Sequence, residues 1–177
     1  MRALEDYLTS SGDPEREFID GELVDRNIGG VLHSAAVGMV AMMLYNRRHE
    51  HGIYVYPSLS IQVAANRVRI PDITVTLRKG GQGILRDPPF LCIEILSQED
   101  RGTRIESKIV DYLKFGVRHI WIIDPARRTG WCHTRGGQRE SSEILTTTEP
   151  RLGIPLKELF EALIEDIEIE DLTGDER

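Results

Sequence analysis

Three residues have types and spacings that could do metal-assisted chemistry: Asp72 in RIPDITV, Glu94 in FLCIEILS and Lys108 in RIESKIVDYLKF. Glu94 stands in the middle of an apolar run. An unpaired ionised carboxylate in such surroundings costs several kcal/mol, which would cancel much of a small domain's net stability. Glu94 therefore needs a compensating partner or an open cleft. In an extended segment side chains alternate, so Phe90, Cys92, Glu94 and Leu96 share one face and Leu91, Ile93 and Ile95 the other. Both faces must then be covered, as in a central strand. In the preceding segment Asp72, Thr74 and Thr76 alternate with Ile73, Val75 and Leu77, which turns Asp72 toward the more polar side. Two carboxylates on neighbouring strands repel unless a cation or a shared proton intervenes. Magnesium takes oxygen ligands and often uses only one or two carboxylates, so a divalent ion is the economical partner.

Two other arrangements satisfy the same pattern: a pair of buried, hydrogen-bonded acids, or a salt bridge to an arginine such as Arg69. Lys108 lies on a predicted helix one turn after Arg104 and one turn before Tyr112, flanking the apolar stripe. A partly desolvated lysine beside a metal could orient water or neutralise charge on a phosphate in its transition state, whereas most helix lysines are simply solvated. Cys92, Cys132 and His133 lack the spaced ligand pairs of a structural zinc site, and the two cysteines read as reduced, buried thiols. Trp121 and Trp131 read as core or sheet-face residues, with base stacking as the functional alternative.

These side chains need elements to position them. Residues 2–10 suit a short helix, and Asp20-Gly21 in EFIDGELV signals a hairpin turn. The spacing of Leu32, Ala36, Met39, Met43 and Leu44 predicts a long helix over 32–49, stopped by Gly52. IYVYPSLSIQV, RVRIPDITVTL and FLCIEIL are each strand-like and together read as a meander, with Pro71 marking a break in the ladder or an edge. Ile105, Ile109, Tyr112 and Leu113 predict a helix over 104–115 that ends at Gly116. HIWIID follows as a buried strand, so strand, helix and strand suggest a crossover within one sheet. GWCHT and SSEILTT add strands, and IPLKELFEALI a last helix. The fold class expected is α/β, a central mixed sheet flanked by helices, with residues 1–177 as one domain and an acidic tail from about residue 166 that can fray.

The chain has 177 residues, 40% of them hydrophobic and 29% charged, an ordinary globular composition. No apolar run approaches the ~18 residues of a membrane span. The start MRALEDYLTSSGDPERE lacks the order of a signal peptide, so a cytoplasmic location and no membrane partner are expected. The net charge of −7 is uneven: the first thirty residues and the last twenty-one are acidic, and the stretch between them carries a small excess of bases. A solvated surface and a phosphate-binding face explain that pattern equally well.

RIPDITV, then FLCIEILS, then RIESKIVDYLKFGVRHIWIIDP resembles the Uma2 family, a branch of the restriction-endonuclease-like PD-(D/E)XK superfamily. The similarity runs from FIDGELV through the final strands and is most specific between Asp72 and Pro125. The resemblance implies that Asp72 and Glu94 bind a catalytic Mg²⁺ or Mn²⁺. The usual third element, a lysine two places after the second acid, is Leu96 here, and Lys108 stands where the Uma2 branch carries its lysine. His33 matches a histidine common in the family, although an isolated histidine is more often a capping or hydrogen-bonding residue. Glu22 also fits the family pattern, as a peripheral metal contact or as a surface acid of the hairpin. Tyr112 falls at a family-like interval beside Lys108. The function implied is metal-dependent hydrolysis of DNA phosphodiester bonds, with a homodimer as one possible assembly. The alternative is a non-catalytic module that binds nucleic acid or protein and retains the nuclease fold. No base-reading motif is visible in the sequence.

Overall fold

Asp20 and Gly21 both take positive φ, 52° and 93°, the two-residue turn whose twist matches that of the strands it joins. They connect β1 (Arg16–Ile19) to β2 (Glu22–Asp25), and a short helix, α1 (Leu4–Thr9), precedes the hairpin. The structure is a computed structural model and describes residues 4–9, 16–26, 29–97, 102–141 and 143–167. The expected acidic tail beyond residue 167 lies outside the described residues. Among the described residues no helix is long and apolar enough to cross a membrane.

The long helix expected over 32–49 is two helices, α2 (Val31–Asn46) and α3 (Arg48–His51). Arg47 leaves helical geometry at φ −101° and ψ 5°, and its N–H caps the carbonyls of Leu44 and Tyr45. Gly52 then closes α3 in the left-handed region, the stop that was expected. IYVYPSLSIQV also divides, into β3 (Tyr54–Pro57) and β4 (Ile61–Ala64), at Ser58 with φ 51°. RVRIPDITVTL divides into β5 (Arg67–Arg69) and β6 (Ile73–Thr76) around Pro71, which has no N–H to give a ladder. The meander is thereby corrected, because β4 and β5 pair in one sheet while β3 and β6 pair in another.

β7 (Leu91–Ile95) is the apolar run around Glu94, and all five of its residues are buried. It leads through α4 (Thr103–Phe115) to β8 (His119–Asp124), which pairs with β7 in parallel, so the expected crossover is present. Gly116 ends α4 at φ 110° with its N–H on the Tyr112 carbonyl. The chain continues through β9 (Thr129–Thr134), β10 (Gly137–Ser141), β11 (Ile144–Thr146), β12 (Gly153–Pro155) and α5 (Leu156–Asp166). β10 gave no apolar alternation to read, because it is a largely exposed outer strand with the charged pair Arg139-Glu140, the usual protection of a sheet edge.

The six-stranded mixed sheet has the order β10-β9-β8-β7-β6-β3, and the smaller antiparallel sheet the order β2-β1-β5-β4. One face of the large sheet, with Ile73, Val75, Ile93, Trp121 and Ile123, packs on α2 and α5. The opposite face, with Cys92, Ile120 and Ile122, meets Tyr112 of α4 and Ile61 and Val63 of the smaller sheet. Glu94 thus opens into the layer between the two sheets, roofed by α4. Cys92 and Cys132 are buried free thiols in different core clusters, so they cannot share a zinc. Trp121 is fully buried and unavailable for base stacking.

Candidate active site

In the antiparallel register of β6 and β7, Ile73 lies opposite Ile93, and continuing that register by one residue sets Asp72, which just precedes β6, opposite Glu94. Directly opposed residues point to the same face of a sheet. The pleat and this register together place the two acids side by side. Both are buried, at 6% and 3% exposure, and the Ile95 N–H donates to Asp72 Oδ2 at 2.8 Å, tying Asp72 to the backbone beside Glu94.

On α4, Lys108, Asp111 and Tyr112 share a face through i, i+3 and i+4 spacing. Lys108 Nζ donates to Glu94 Oε2 at 2.8 Å, and the Tyr112 hydroxyl donates to Glu94 Oε1 at 2.6 Å. Both oxygens of Glu94 thus have protein donors, which corrects the expectation that an ion alone compensates it. Arg69 is not the partner; it pairs with Glu17 and Asp111, at 2.8 Å each. Leu96, where the superfamily's usual lysine would stand, packs against the apolar cluster beneath α4. A cavity of about 10 Å³, the room one water needs, is lined by Glu94, Leu96, Arg104, Ile105 and Lys108.

Asp72 is held from the other side by α2 and by the residue that follows β2. His33 Nε2 lies 3.4 Å from Asp72 Oδ2, and Arg26 Nη2 donates to Asp72 Oδ1 at 3.0 Å while its Nη1 reaches Ser58 Oγ at 3.3 Å. Arg26 therefore meets Asp72 with one nitrogen and does not fork across the carboxylate. Glu22 is exposed at the start of β2 and does not join the cluster.

Glu17 also belongs to the site, although no local sequence pattern marks it. Its carboxylate is fully buried, accepts from the Ile70 N–H at 3.1 Å and from Arg69 at 2.8 Å, and lies 3.5 Å from Lys108 Nζ. A glutamate in the short strand REFI reads as a solvated edge residue. The available signal was the pair Arg67 and Arg69, alternate residues of one strand that both reach Asp111 of α4. Arg69 is buried and Arg67 partly so, and a pair of that kind requires acids around it.

Burial raises the Glu94 carboxyl to about 7; Asp72 adds to the rise, while Lys108 and the Tyr112 hydroxyl oppose it. Burial also works against the Lys108 ammonium, but Glu94 and Glu17 outweigh it and hold that group above its ordinary value. Burial likewise disfavours the Asp72 charge, yet the hydrogen bonds from His33 and Ile95 and the charge of Lys108 keep its carboxyl below the usual range. The site thus has one fixed carboxylate, one fixed ammonium and one acid that titrates near neutrality.

That asymmetry has a measurable consequence for stability. An acid whose folded value lies above its unfolded one stabilises the fold below the unfolded value and loses that contribution as pH rises through the folded value. In chelator, wild-type protein should lose stability relative to Glu94→Gln between about pH 4.5 and about pH 7, and the two curves should run parallel above that range. Thermal unfolding across pH measures this difference, and curves parallel throughout the range would show that Glu94 ionises normally.

The Uma2 family model, described as "Putative restriction endonuclease", matches residues 4–164. A crystal structure of "a putative nuclease belonging to DUF820" from Anabaena variabilis superposes with a TM-score of 0.78 and 22% identity, over 92% of this chain and 99% of that one. That likeness shows a shared restriction-endonuclease-like fold. A cryo-electron-microscopy structure of a DrdV–DNA complex aligns with a TM-score of 0.39 and 14% identity over 73% of this chain and 11% of that one, too weakly to indicate a common fold. No match was found among curated proteins. With its fold and nearly its whole length accounted for by one family, the chain belongs to the Uma2 family.

Proposed function

We propose that the protein is a Mg²⁺- or Mn²⁺-dependent DNA endonuclease whose site is Asp72, Glu94 and Lys108. The observation that carries this reading is the register that sets Asp72 opposite Glu94, with the Lys108 ammonium 2.8 Å from Glu94. Family membership supports nuclease chemistry; the choice of metal and of DNA is our reading.

The donor set suits a hard divalent cation. Each carboxylate oxygen offers two lone pairs, and on Glu94 each oxygen gives one to a protein donor. Spare oxygen lone pairs remain on both acids, and the rise in the Glu94 carboxyl caused partly by Asp72 is the repulsion that a cation would relieve. A bound divalent ion would polarise the scissile phosphate and ease ionisation of a water.

The chain's own residues do the rest. Asp72 and Glu94 would hold the ion. Tyr112 fixes one Glu94 oxygen and so orients the other. Lys108, held protonated by Glu94 and Glu17, cannot serve as a base; it orients the attacking water or offsets the charge that builds on the phosphate. His33 and Arg26 orient Asp72. Glu22 has no part in this scheme.

A specific observation favours a second reading, in which the fold is kept and turnover lost: the protein's own cations already satisfy both acids. Metal binding separates the two. Under the nuclease reading, magnesium or manganese raises the melting temperature with concentration and supports nicking of supercoiled plasmid that stops in chelator. A melting temperature indifferent to both metals, with no nicking, would establish the non-catalytic reading.

A further inference from the structure

At the end of the large sheet away from Glu94 lies a crevice of about 880 Å³ between the end of α4, the tip of the β9–β10 hairpin and the β11–β12 connection. The register places His119, in its wall, level with Leu91 of β7, three residues from Glu94 and so roughly 10 Å along the strand. His119 also contacts Phe90, which belongs to the core on the face away from α4. The crevice is therefore separate from the acid pair.

Its chemistry is one-sided. Arg118, Arg135 and Arg139 line it, joined by a single acid, Glu149. Among the described residues Arg118 and Arg135 make no ion pair, and Arg139 gives one nitrogen to Thr146 Oγ1 at 3.2 Å. Three arginines against one acid give the crevice a positive field that favours an anion. Gly136 and Gly137 leave part of the wall without side chains. Val117, His119 and Cys132 are buried behind the arginines and close the inner wall. The volume greatly exceeds that of a phosphate ion and falls in the range of sites for cofactor-sized ligands.

We propose that this crevice is a nucleotide-phosphate site, with Arg118 and Arg135 gripping the phosphate through charge-assisted forks and the remaining volume of the crevice receiving the attached nucleoside. The phosphate can come from a free mononucleotide or from the phosphorylated end of a strand. The proposal goes beyond the nuclease reading and does not depend on it, because no residue is shared.

Equilibrium dialysis of the full chain in chelator tests it, with inorganic phosphate, adenosine monophosphate and a short 5′-phosphorylated single strand as probes. The expected result is that adenosine monophosphate or the strand binds more tightly than inorganic phosphate. Arg118→Gln with Arg135→Gln should weaken that binding by about tenfold or more, while Lys108→Met leaves it unchanged. Both arginines are exposed, so the fold should survive, and circular dichroism checks that it does. Tighter binding of the strand identifies a strand end as the source, and tighter binding of adenosine monophosphate a free nucleotide. Wild-type affinity in the arginine variant, absence of binding by all three probes, or loss of binding in Lys108→Met instead would overturn the proposal.

Discussion

Replacing Lys108 by methionine should lower DNA-cleaving turnover on the order of 100-fold or more while leaving metal affinity nearly intact. Lys108 Nζ is 2.8 Å from Glu94 Oε2 and 3.5 Å from Glu17 Oε1, so two acids keep it charged and aimed at the carboxylate pair. Methionine roughly preserves the length of the stem and removes the charge together with the hydrogen bond to Glu94. A bound metal would still compensate Glu94 in the variant, which is why binding and rate should separate. Single-turnover cleavage and manganese titration on the same preparation measure the two quantities. Equal losses in both would mean that the site had collapsed, and unchanged turnover would mean that Lys108 is only the structural counter-ion of Glu94 and Glu17.

The order of elements around the site could be read from the sequence because each had a strong local signal. Glu94 within a run apolar on both faces required a central strand, and the stripe Ile105, Ile109, Tyr112 and Leu113 ending at Gly116 required a helix returning to the same sheet. Asp72, Glu94, Lys108, Tyr112 and His33 do meet. What could not be read was the division into two sheets. Ser58 breaks a segment that looks continuous; Pro71 does signal a break, but which piece pairs with which depends on long-range register that no local pattern encodes. Glu17 was hidden for the same reason. Its burial comes from packing under α4 against Arg69 and Lys108, residues far away in sequence. Arg26 likewise meets Asp72 only across the junction between the sheets.

The second large effect concerns the acids themselves. Asp72→Ala and Glu94→Ala should each abolish cutting while the domain stays folded, since each removes half of the oxygen donor pair. Neither change is structurally silent: Asp72→Ala leaves the Ile95 N–H and Arg26 without their acceptor, and Glu94→Ala leaves the Tyr112 hydroxyl and Lys108 without theirs. Asp72→Asn and Glu94→Gln keep the shape and an acceptor oxygen, so they separate loss of charge from loss of packing. The most direct measurement of the central claim is conversion of supercoiled plasmid to nicked and linear forms by wild type and these four variants, with manganese or with chelator. Wild type should cleave with manganese and not in chelator, and no variant should cleave above background. Cleavage by all four variants at the wild-type rate would contradict that claim.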